Sequence, residues 1–209
     1  MARAPIDPNL ITAMRIPLAP VAVATLLSGT PWGLALAAVL ALGLELTDVA
    51  DGWMARRYQQ VSDFGKLFDP FSDAFTRYTL FLGMYAYPHA VPGAVHIADL
   101  WMVVAIFWRD ASVSFFRQVS AARHVVVAAR PSGKIKAIVQ GVGTQVVFIA
   151  LALEPVWPGH GLAEVPYWTM LVMTLVTIAS FFDYFVGHLP LLTDAWNNRP
   201  PRKRASGDA

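Results

Sequence analysis

The sequence predicts an all-α, polytopic membrane protein with six transmembrane helices. Of its 209 residues, 56% are hydrophobic and only 14% are charged, whereas soluble domains carry roughly 25% charged residues. The apolar residues form six long segments, each long enough to cross a bilayer. Every second connection between these segments lacks Lys and Arg altogether, which is typical of membrane proteins with several spans.

The first two spans follow each other closely. We expect the first at Asn9–Ser28, and its two internal prolines predict either a kink or a separate surface helix before the membrane helix. Gly29–Pro31 predicts a tight turn. The second span runs from Trp32 to about Tyr58, which is longer than the ~20 residues needed to cross. Its last two turns should therefore project into the aqueous phase.

The remaining spans are predicted at Phe64–Tyr87, Ala98–Ala121, Lys134–Leu153 and Pro166–Val186. Their connections are Pro88–Ile97, Arg123–Gly133 and Glu154–Val165. We expect a single membrane domain over residues 1–196 and a basic, disordered cytoplasmic tail over residues 197–209. Met1–Pro8 is short, polar and contains two prolines, so we expect no cleavable signal.

The distribution of basic residues predicts the orientation. Six spans place both termini on one side, and that side, including the span ends next to it, contains most of the Lys and Arg. The three opposite connections, near residues 29–31, 88–97 and 154–165, contain no Lys or Arg. The positive-inside rule then predicts cytoplasmic termini in the cell (inner) membrane. The chain has no cysteine, which excludes disulfides, thiolate metal sites and cysteine nucleophiles.

Four aspartates, Asp48, Asp51, Asp69 and Asp73, lie at the cytoplasmic ends of the second and third spans. Carboxylates at membrane depth are costly and usually functional. Asp48 and Asp51 lie about 60° apart on one helix face, and Gly65, Asp69 and Asp73 follow an i, i+4, i+8 stripe. Because the connection is short, we expect the two helices to be antiparallel neighbours with facing acidic stripes.

Facing carboxylates repel each other unless cations neutralise them. Hard oxygen ligands favour Mg²⁺ or Mn²⁺, and two such ions about 4 Å apart suit in-line displacement at phosphorus. Gly52, Ala55 and Gly65 leave room for a bulky ligand, and Arg56 supplies a planar cation for a phosphate. A single aspartate at a helix end is more often a cap or a solvated residue, but four in one register with two glycines favour the metal site.

The pattern Asp48-x2-Asp51-Gly52-x2-Ala55-Arg56-x8-Gly65-x3-Asp69-x3-Asp73 resembles the complete signature of the CDP-alcohol phosphotransferase family. The resemblance implies six transmembrane helices, two divalent metal ions, a homodimer, and transfer of a phosphatidyl or similar group from a CDP-linked donor with release of CMP. It implies the metal ligands Asp48, Asp51, Asp69 and Asp73, with Asp73 also the general base. It implies the CDP-contacting positions Asp51, Gly52, Ala55, Arg56 and Gly65.

A second charged cluster predicts where an acceptor phosphate binds. Arg109 and Asp110 fall in the middle of the fourth span, where charges are costly. The candidate pocket residues are Arg109, Arg117, Arg130, Lys134 and Lys136. Two alternatives stay open: Arg130, Lys134 and Lys136 as ordinary membrane anchors, and Arg109 with Asp110 as an ion pair that orients helices. Arg77, four residues after Asp73, is either a counter-ion or a substrate contact.

The arrangement RD…R…GKIKA…Q, with NLIT-x2-R before the first helix, resembles the phosphatidylglycerophosphate synthase branch of the family, which implies sn-glycerol 3-phosphate as acceptor. Asp110 and Ala74 depart from that branch, which usually has Glu and Lys there. An inositol or inositol-phosphate acceptor is therefore the alternative.

We expect CDP-diacylglycerol, a small polar acceptor alcohol and membrane lipid as partners, a homodimer, and no nucleic acid. Alternatives from other classes are an ion-coupled transporter and an inactive scaffold. A transporter would need acidic groups through the membrane depth and an internal repeat, whereas these aspartates cluster at one surface. Intact spacing of all four aspartates argues against a scaffold.

Overall fold

The computed structural model describes residues 8–57, 63–123, 125 and 130–197, with the backbone alone described at several helical positions. The helices in this part are α1 (Pro8–Leu27), α2 (Pro31–Arg57), α3 (Asp63–Ala90), α4 (Leu100–Ala122), α5 (Pro131–Leu153) and α6 (Val165–Trp196). The predicted all-α class is confirmed, and the helices occupy the six predicted segments. The predicted tail lies outside the described residues, apart from Asn197.

Prolines affect the helix bounds less than the sequence predicted. Pro17 and Pro20 lie inside one continuous α1, so from residue 8 onwards they do not divide it into a surface helix and a membrane helix. Helix α3 likewise continues through Pro88, the predicted end of the third span. A proline removes one backbone hydrogen bond, and neighbouring helices stabilise the rest of the turn.

Helix α6 is longer than predicted, since it ends at Trp196 rather than Val186. Its added turns pack against the rest of the protein: His188 and Asp194 are buried. Arg123, just after α4, donates a hydrogen bond to the backbone oxygen of Asp194 at 2.8 Å. Tertiary contacts therefore extend α6 beyond its most apolar part.

The helices pack as two groups of three. Helix α1 contacts α2 and α3, and α6 contacts α4 and α5, while α2·α5 and α3·α4 contacts join the groups. The shared core consists of fully buried apolar side chains from all six helices, among them Leu26, Leu44, Phe81, Ile106, Phe148 and Met173. A continuous core of this kind makes the six helices one unit.

In the part of the chain that the structure describes, four helices are long and apolar enough to cross a membrane: α1 from Asn9, α2 as far as Asp48, α5 and α6. Helices α3 and α4 have the length of a span but carry several charged side chains. The prediction of an integral membrane protein agrees with these helices. The count of six spans stays a prediction.

The contacts between helices show that successive helices alternate in direction. At one end, Arg15 near the start of α1 meets Asp48 near the end of α2 and Asp73 near the start of α3. At the other end, Gly29 after α1 lies against Val91 after α3, and its φ of 63° suits glycine. The starts of α1, α3 and α5 therefore share the end that carries the charged side chains.

Single-cysteine variants test this arrangement, because the chain has no cysteine of its own. Ala90, Val156 and Ala122 are exposed. We expect Ala90→Cys and Val156→Cys to react with a membrane-impermeant maleimide from one side of the membrane, and Ala122→Cys from the other. Labelling is compared in intact cells and in everted vesicles. Reaction of all three positions from the same side would contradict six spans.

Candidate active site

Three of the predicted metal-binding aspartates have described side chains, and helix α1 contacts all three. Arg15 donates from Nη1 to Oδ1 of Asp48 at 2.6 Å and from Nη2 to Oδ1 of Asp73 at 3.3 Å. The Thr12 hydroxyl donates to Oδ1 of Asp69 at 3.2 Å. One face of α1 therefore gathers carboxylates from the end of α2 and the start of α3.

Asp73 is the most strongly partnered of these carboxylates. Arg77, one turn further along α3, donates to its Oδ1 at 2.7 Å, so two guanidinium groups share that oxygen. Among the described residues, all hydrogen bonds to Asp73 go to Oδ1, and none goes to Oδ2. Arg77 is thus a counter-ion of Asp73, as one of the two sequence-based interpretations proposed.

The acidic stripes come together by a different route from the one predicted. Among the described residues, α2 and α3 are not packed along each other; each packs against α1 instead. Small buried side chains, Ala19 and Ala22 of α1 and Ala37 and Ala41 of α2, allow close approach of these two helices. A short connection therefore did not make α2 and α3 direct packing partners.

The structure describes the predicted donor-contacting positions only in part. Asp51, Gly52, Ala55 and Arg56 belong to α2 by their backbone, but their side chains lie outside the described part of the protein. Gly65 is buried in α3, one turn before Asp69. The roles of all five residues stay predictions.

A cavity of about 520 Å³ lies between α3, α4, α5 and α6. The five predicted acceptor-binding cations all line it: Arg109, Arg117, Arg130, Lys134 and Lys136. Asp73 and Arg77 line the same cavity from α3. The acidic site and the basic cluster thus open into one space.

Asp110 neutralises two of these cations. Its Oδ1 accepts from Arg109 at 2.8 Å and its Oδ2 accepts from Lys136 Nζ at 2.8 Å. Arg109 is buried and also donates to the Ser180 hydroxyl of α6 at 2.7 Å. This confirms the ion pair that the alternative interpretation of Arg109 and Asp110 proposed, and it ties α4 to α5 and α6.

Arg130 is held against α6 at the edge of the cavity. Its Nη1 donates to the backbone oxygen of Asp183 at 2.8 Å and to Oδ1 at 2.7 Å. Ser132 donates to the other carboxylate oxygen of Asp183. The guanidinium lies against Gly187, where a Cβ atom would overlap it. Arg130 is therefore fixed in position by its hydrogen bonds to Asp183 and its packing against Gly187, both in α6.

Arg117 and Lys134 differ from the other three cations. Both are exposed, and within the described residues neither forms an ion pair. Exposed cations without a carboxylate partner remain able to bind an anion. These two side chains are therefore the best candidates for contact with an acceptor phosphate.

The donor set suits a hard divalent ion in its chemistry, because Asp48, Asp69 and Asp73 all offer carboxylate oxygens. Within the described residues, no three acidic or histidine side chains form a metal-binding group by themselves. The side chain of Asp51, the fourth predicted ligand, lies outside those residues. The cation seen between Asp48 and Asp73 is the guanidinium of Arg15.

Sequence reasoning missed several residues of this site. Thr12 and Arg15 were noted only as part of NLIT-x2-R, and Ser180 and Asp183 were not identified. Arg15 carried a usable signal, since an arginine within an apolar span requires a partner. Asp183, a carboxylate within the predicted sixth span, carried the same kind of signal, whereas Ser180 gave no comparable signal.

Comparison with known proteins points to one family. The sequence model of the CDP-alcohol phosphatidyltransferase family matches residues 6–182. A Bacillus subtilis (strain 168) protein named CDP-diacylglycerol–glycerol-3-phosphate 3-phosphatidyltransferase is 30% identical over 192 residues, covering 85% of this chain and 92% of the relative. Proteins of the same name from Treponema pallidum and Cereibacter sphaeroides are 28% and 26% identical, covering 74% and 90% of this chain and 70% and 97% of the relatives.

Removal of Asp110 tests the buried charge network. Asp110→Ala leaves Arg109 and Lys136 without their carboxylate, and we expect the free energy of unfolding to fall by about 3–5 kcal/mol. Arg117→Ala, on the same helix but exposed and without an ion pair to any described residue, should change it by less than about 0.5 kcal/mol. Reversible unfolding in detergent micelles measures both. Similar losses in the two variants would contradict the network.

Proposed function

Because the chain belongs to the CDP-alcohol phosphatidyltransferase family, we propose that it transfers a phosphatidyl group from CDP-diacylglycerol to sn-glycerol 3-phosphate and releases CMP. The observation that carries the proposal is the shared cavity, in which Asp73 and the basic cluster face one space. The curated relatives carry the name of this activity. The cavity suits an acceptor that presents a hydroxyl to the acidic side and a phosphate to the basic side.

The reaction requires a divalent ion, Mg²⁺ or Mn²⁺, and we infer two such ions from the family pattern. Asp48, Asp51, Asp69 and Asp73 would hold them through carboxylate oxygens. When bound, the ions neutralise the pyrophosphate of the donor and stabilise the leaving CMP. The chain contributes by keeping the carboxylates of α2 and α3 together through α1.

Asp73 is the proposed general base. The acceptor hydroxyl loses its proton to Asp73 as its oxygen forms a new bond to the phosphatidyl phosphorus, and the bond from that phosphorus to the CMP oxygen breaks. Arg15 and Arg77 donate hydrogen bonds to Oδ1 of Asp73, so we infer that Oδ2 is the oxygen that accepts the proton. Carboxylates held by two cations are weak bases, and the rate depends largely on positioning.

The helical turns around Asp51 are the proposed binding site of the donor, CDP-diacylglycerol. We infer that Gly52, Ala55 and Gly65 give the cytidine space against the backbone and that Arg56 pairs with a phosphate. These positions lie in α2 and α3, next to the acidic site. The diacylglycerol chains of the donor would remain in the surrounding lipid.

The acceptor phosphate is the proposed ligand of Arg117 and Lys134, which have no carboxylate partner in the described residues. Arg109, Arg130 and Lys136 are already bound to Asp110 or Asp183. They shape the cavity and add positive potential. A phosphorylated inositol would meet the same cations, so it remains the alternative acceptor.

We further infer that the protein is an integral protein of the cell (inner) membrane with both termini and the acidic site on the cytoplasmic side. The charge asymmetry of the connections supports this orientation. It would give the site access to soluble acceptors and to CDP-linked lipid together. The homodimer implied by the family pattern also stays a proposal.

Product identification tests the proposed reaction. Purified protein in lipid nanodiscs is incubated with CDP-diacylglycerol, Mg²⁺ or Mn²⁺, and one acceptor at a time: glycerol 3-phosphate, inositol, inositol phosphate or serine. We expect CMP release and phosphatidylglycerophosphate with the first acceptor alone. Asp73→Asn should release almost no CMP. No CMP release with any acceptor would overturn the proposal, and release with inositol phosphate alone would replace the acceptor.

Lys134 tests the acceptor site. Lys134→Ala removes a charge-assisted contact to the phosphate, and we expect the KM for glycerol 3-phosphate to rise about tenfold or more. The KM for CDP-diacylglycerol should change much less. Lys134→Arg, which keeps the charge, should stay close to the wild type. A larger rise in the donor KM would assign Lys134 to the donor site instead.

A further inference from the structure

Arg15 is a buried cation whose two carboxylate partners are both predicted metal ligands. Its side chain is 3% exposed, whereas those of Asp48 and Asp73 are 42% and 39% exposed. Taking a guanidinium out of water is costly unless carboxylates accept its hydrogen bonds. Arg15 is therefore held at the site by the same oxygens that a divalent ion would use.

The contacts of Arg15 are also incomplete. Its two Nη atoms bind one carboxylate each, from different helices, while its buried Nε has no hydrogen-bond partner within the described residues. An arginine placed only for stability would be expected to pair all its buried donors. The two aspartates are thus the main anchors of this side chain.

We propose that Arg15 is a positioning residue: it holds Asp48 and Asp73 at a fixed spacing and, as a resident counter-cation, lowers the affinity of the acidic site for divalent ions. The inference rests on the proposed metal-dependent function and adds a role for α1. Divalent ions and the guanidinium compete for negative charge at close range, where repulsion between them is strong. The donor pyrophosphate supplies further negative charge, so ions bind best together with the donor.

Removing Arg15 has two opposite effects on the affinity of the site for divalent ions, and their relative sizes decide the expected result. Loss of the bridge frees two short side chains, whose ordering on metal binding has a small entropic cost. Loss of the positive charge removes repulsion against a divalent ion, which is the larger effect in a partly buried site. Metal affinity should therefore rise while the geometry needed for turnover is lost.

The experiment measures Mn²⁺ binding to the full chain in nanodiscs without CDP-diacylglycerol, by electron paramagnetic resonance of free Mn²⁺. The variants are two neutral ones, Arg15→Gln and Arg15→Met, and one charged one, Arg15→Lys. We expect the neutral variants to bind Mn²⁺ about tenfold tighter, which corresponds to about 1.4 kcal/mol. Arg15→Lys should stay within about threefold of the wild type.

The rate of CMP release distinguishes the positioning role of Arg15 from the effect of its charge. A lysine keeps the charge but lacks the planar fork that spans two carboxylates. We expect CMP release to fall at least about tenfold in Arg15→Lys as well as in the neutral variants. Arg123→Gln, a half-buried arginine bound to a backbone oxygen of α6, is the matched control and should leave Mn²⁺ affinity unchanged.

Several outcomes would overturn the proposal. Unchanged or weaker Mn²⁺ binding in the folded neutral variants would exclude the counter-cation role. Mn²⁺ binding by Arg15→Lys that is as tight as in the neutral variants would exclude it too. If neither neutral variant folds, full turnover or a tenfold change of Mn²⁺ affinity in Arg15→Lys would still contradict it. The absence of CMP release by the wild type with CDP-diacylglycerol and either Mg²⁺ or Mn²⁺ would instead refute the proposed metal-dependent function itself.

Discussion

A guanidinium shared between carboxylates of two helices is the interaction on which the polar end of this bundle depends. Arg15 lies within an apolar helix, and its burial is tolerable only because Asp48 and Asp73 accept its hydrogen bonds. The Ser72 hydroxyl donates to the backbone oxygen of Thr12 at 3.0 Å, which fixes the same face of α1 on α3. These contacts determine the rotation of α1 and thereby the spacing of the acidic stripes.

The cavity is lined by Asp73 from α3 and by cations from α4 and from the start of α5. Asp110 and Asp183 bind three of the five cations, so the charge left over is concentrated at Arg117 and Lys134. A substrate with a hydroxyl at one end and a phosphate at the other is oriented by this division, and orientation is what a weak base requires.

Local patterns predicted the helices and the aspartate register well, because helix length and i, i+4 spacing depend on nearby residues. The sequence could not show that α1 packs between α2 and α3, since small residues on α1 and α2 decide that contact. It also could not show that Asp110 binds Lys136, 26 residues away. The extension of α6 to Trp196 has the same origin, because contacts with the end of α4 stabilise turns that are less apolar.

Charged side chains in this bundle need room as well as partners, and glycines on facing helices provide it. Glu45 of α2 lies against Gly141 of α5, and Arg130 lies against Gly187 of α6; a Cβ at either glycine would overlap the charged group. Arg130 displaced from its position would lose its hydrogen bonds to Asp183 in a medium that offers few replacements. The choice of glycine at these two helix positions, which neither periodicity nor helix propensity explains, therefore follows from the charged network. The packing of α2 on α5 and of α5 on α6 therefore helps to hold the charged side chains of the site in place, although neither contact lies beside the reacting groups.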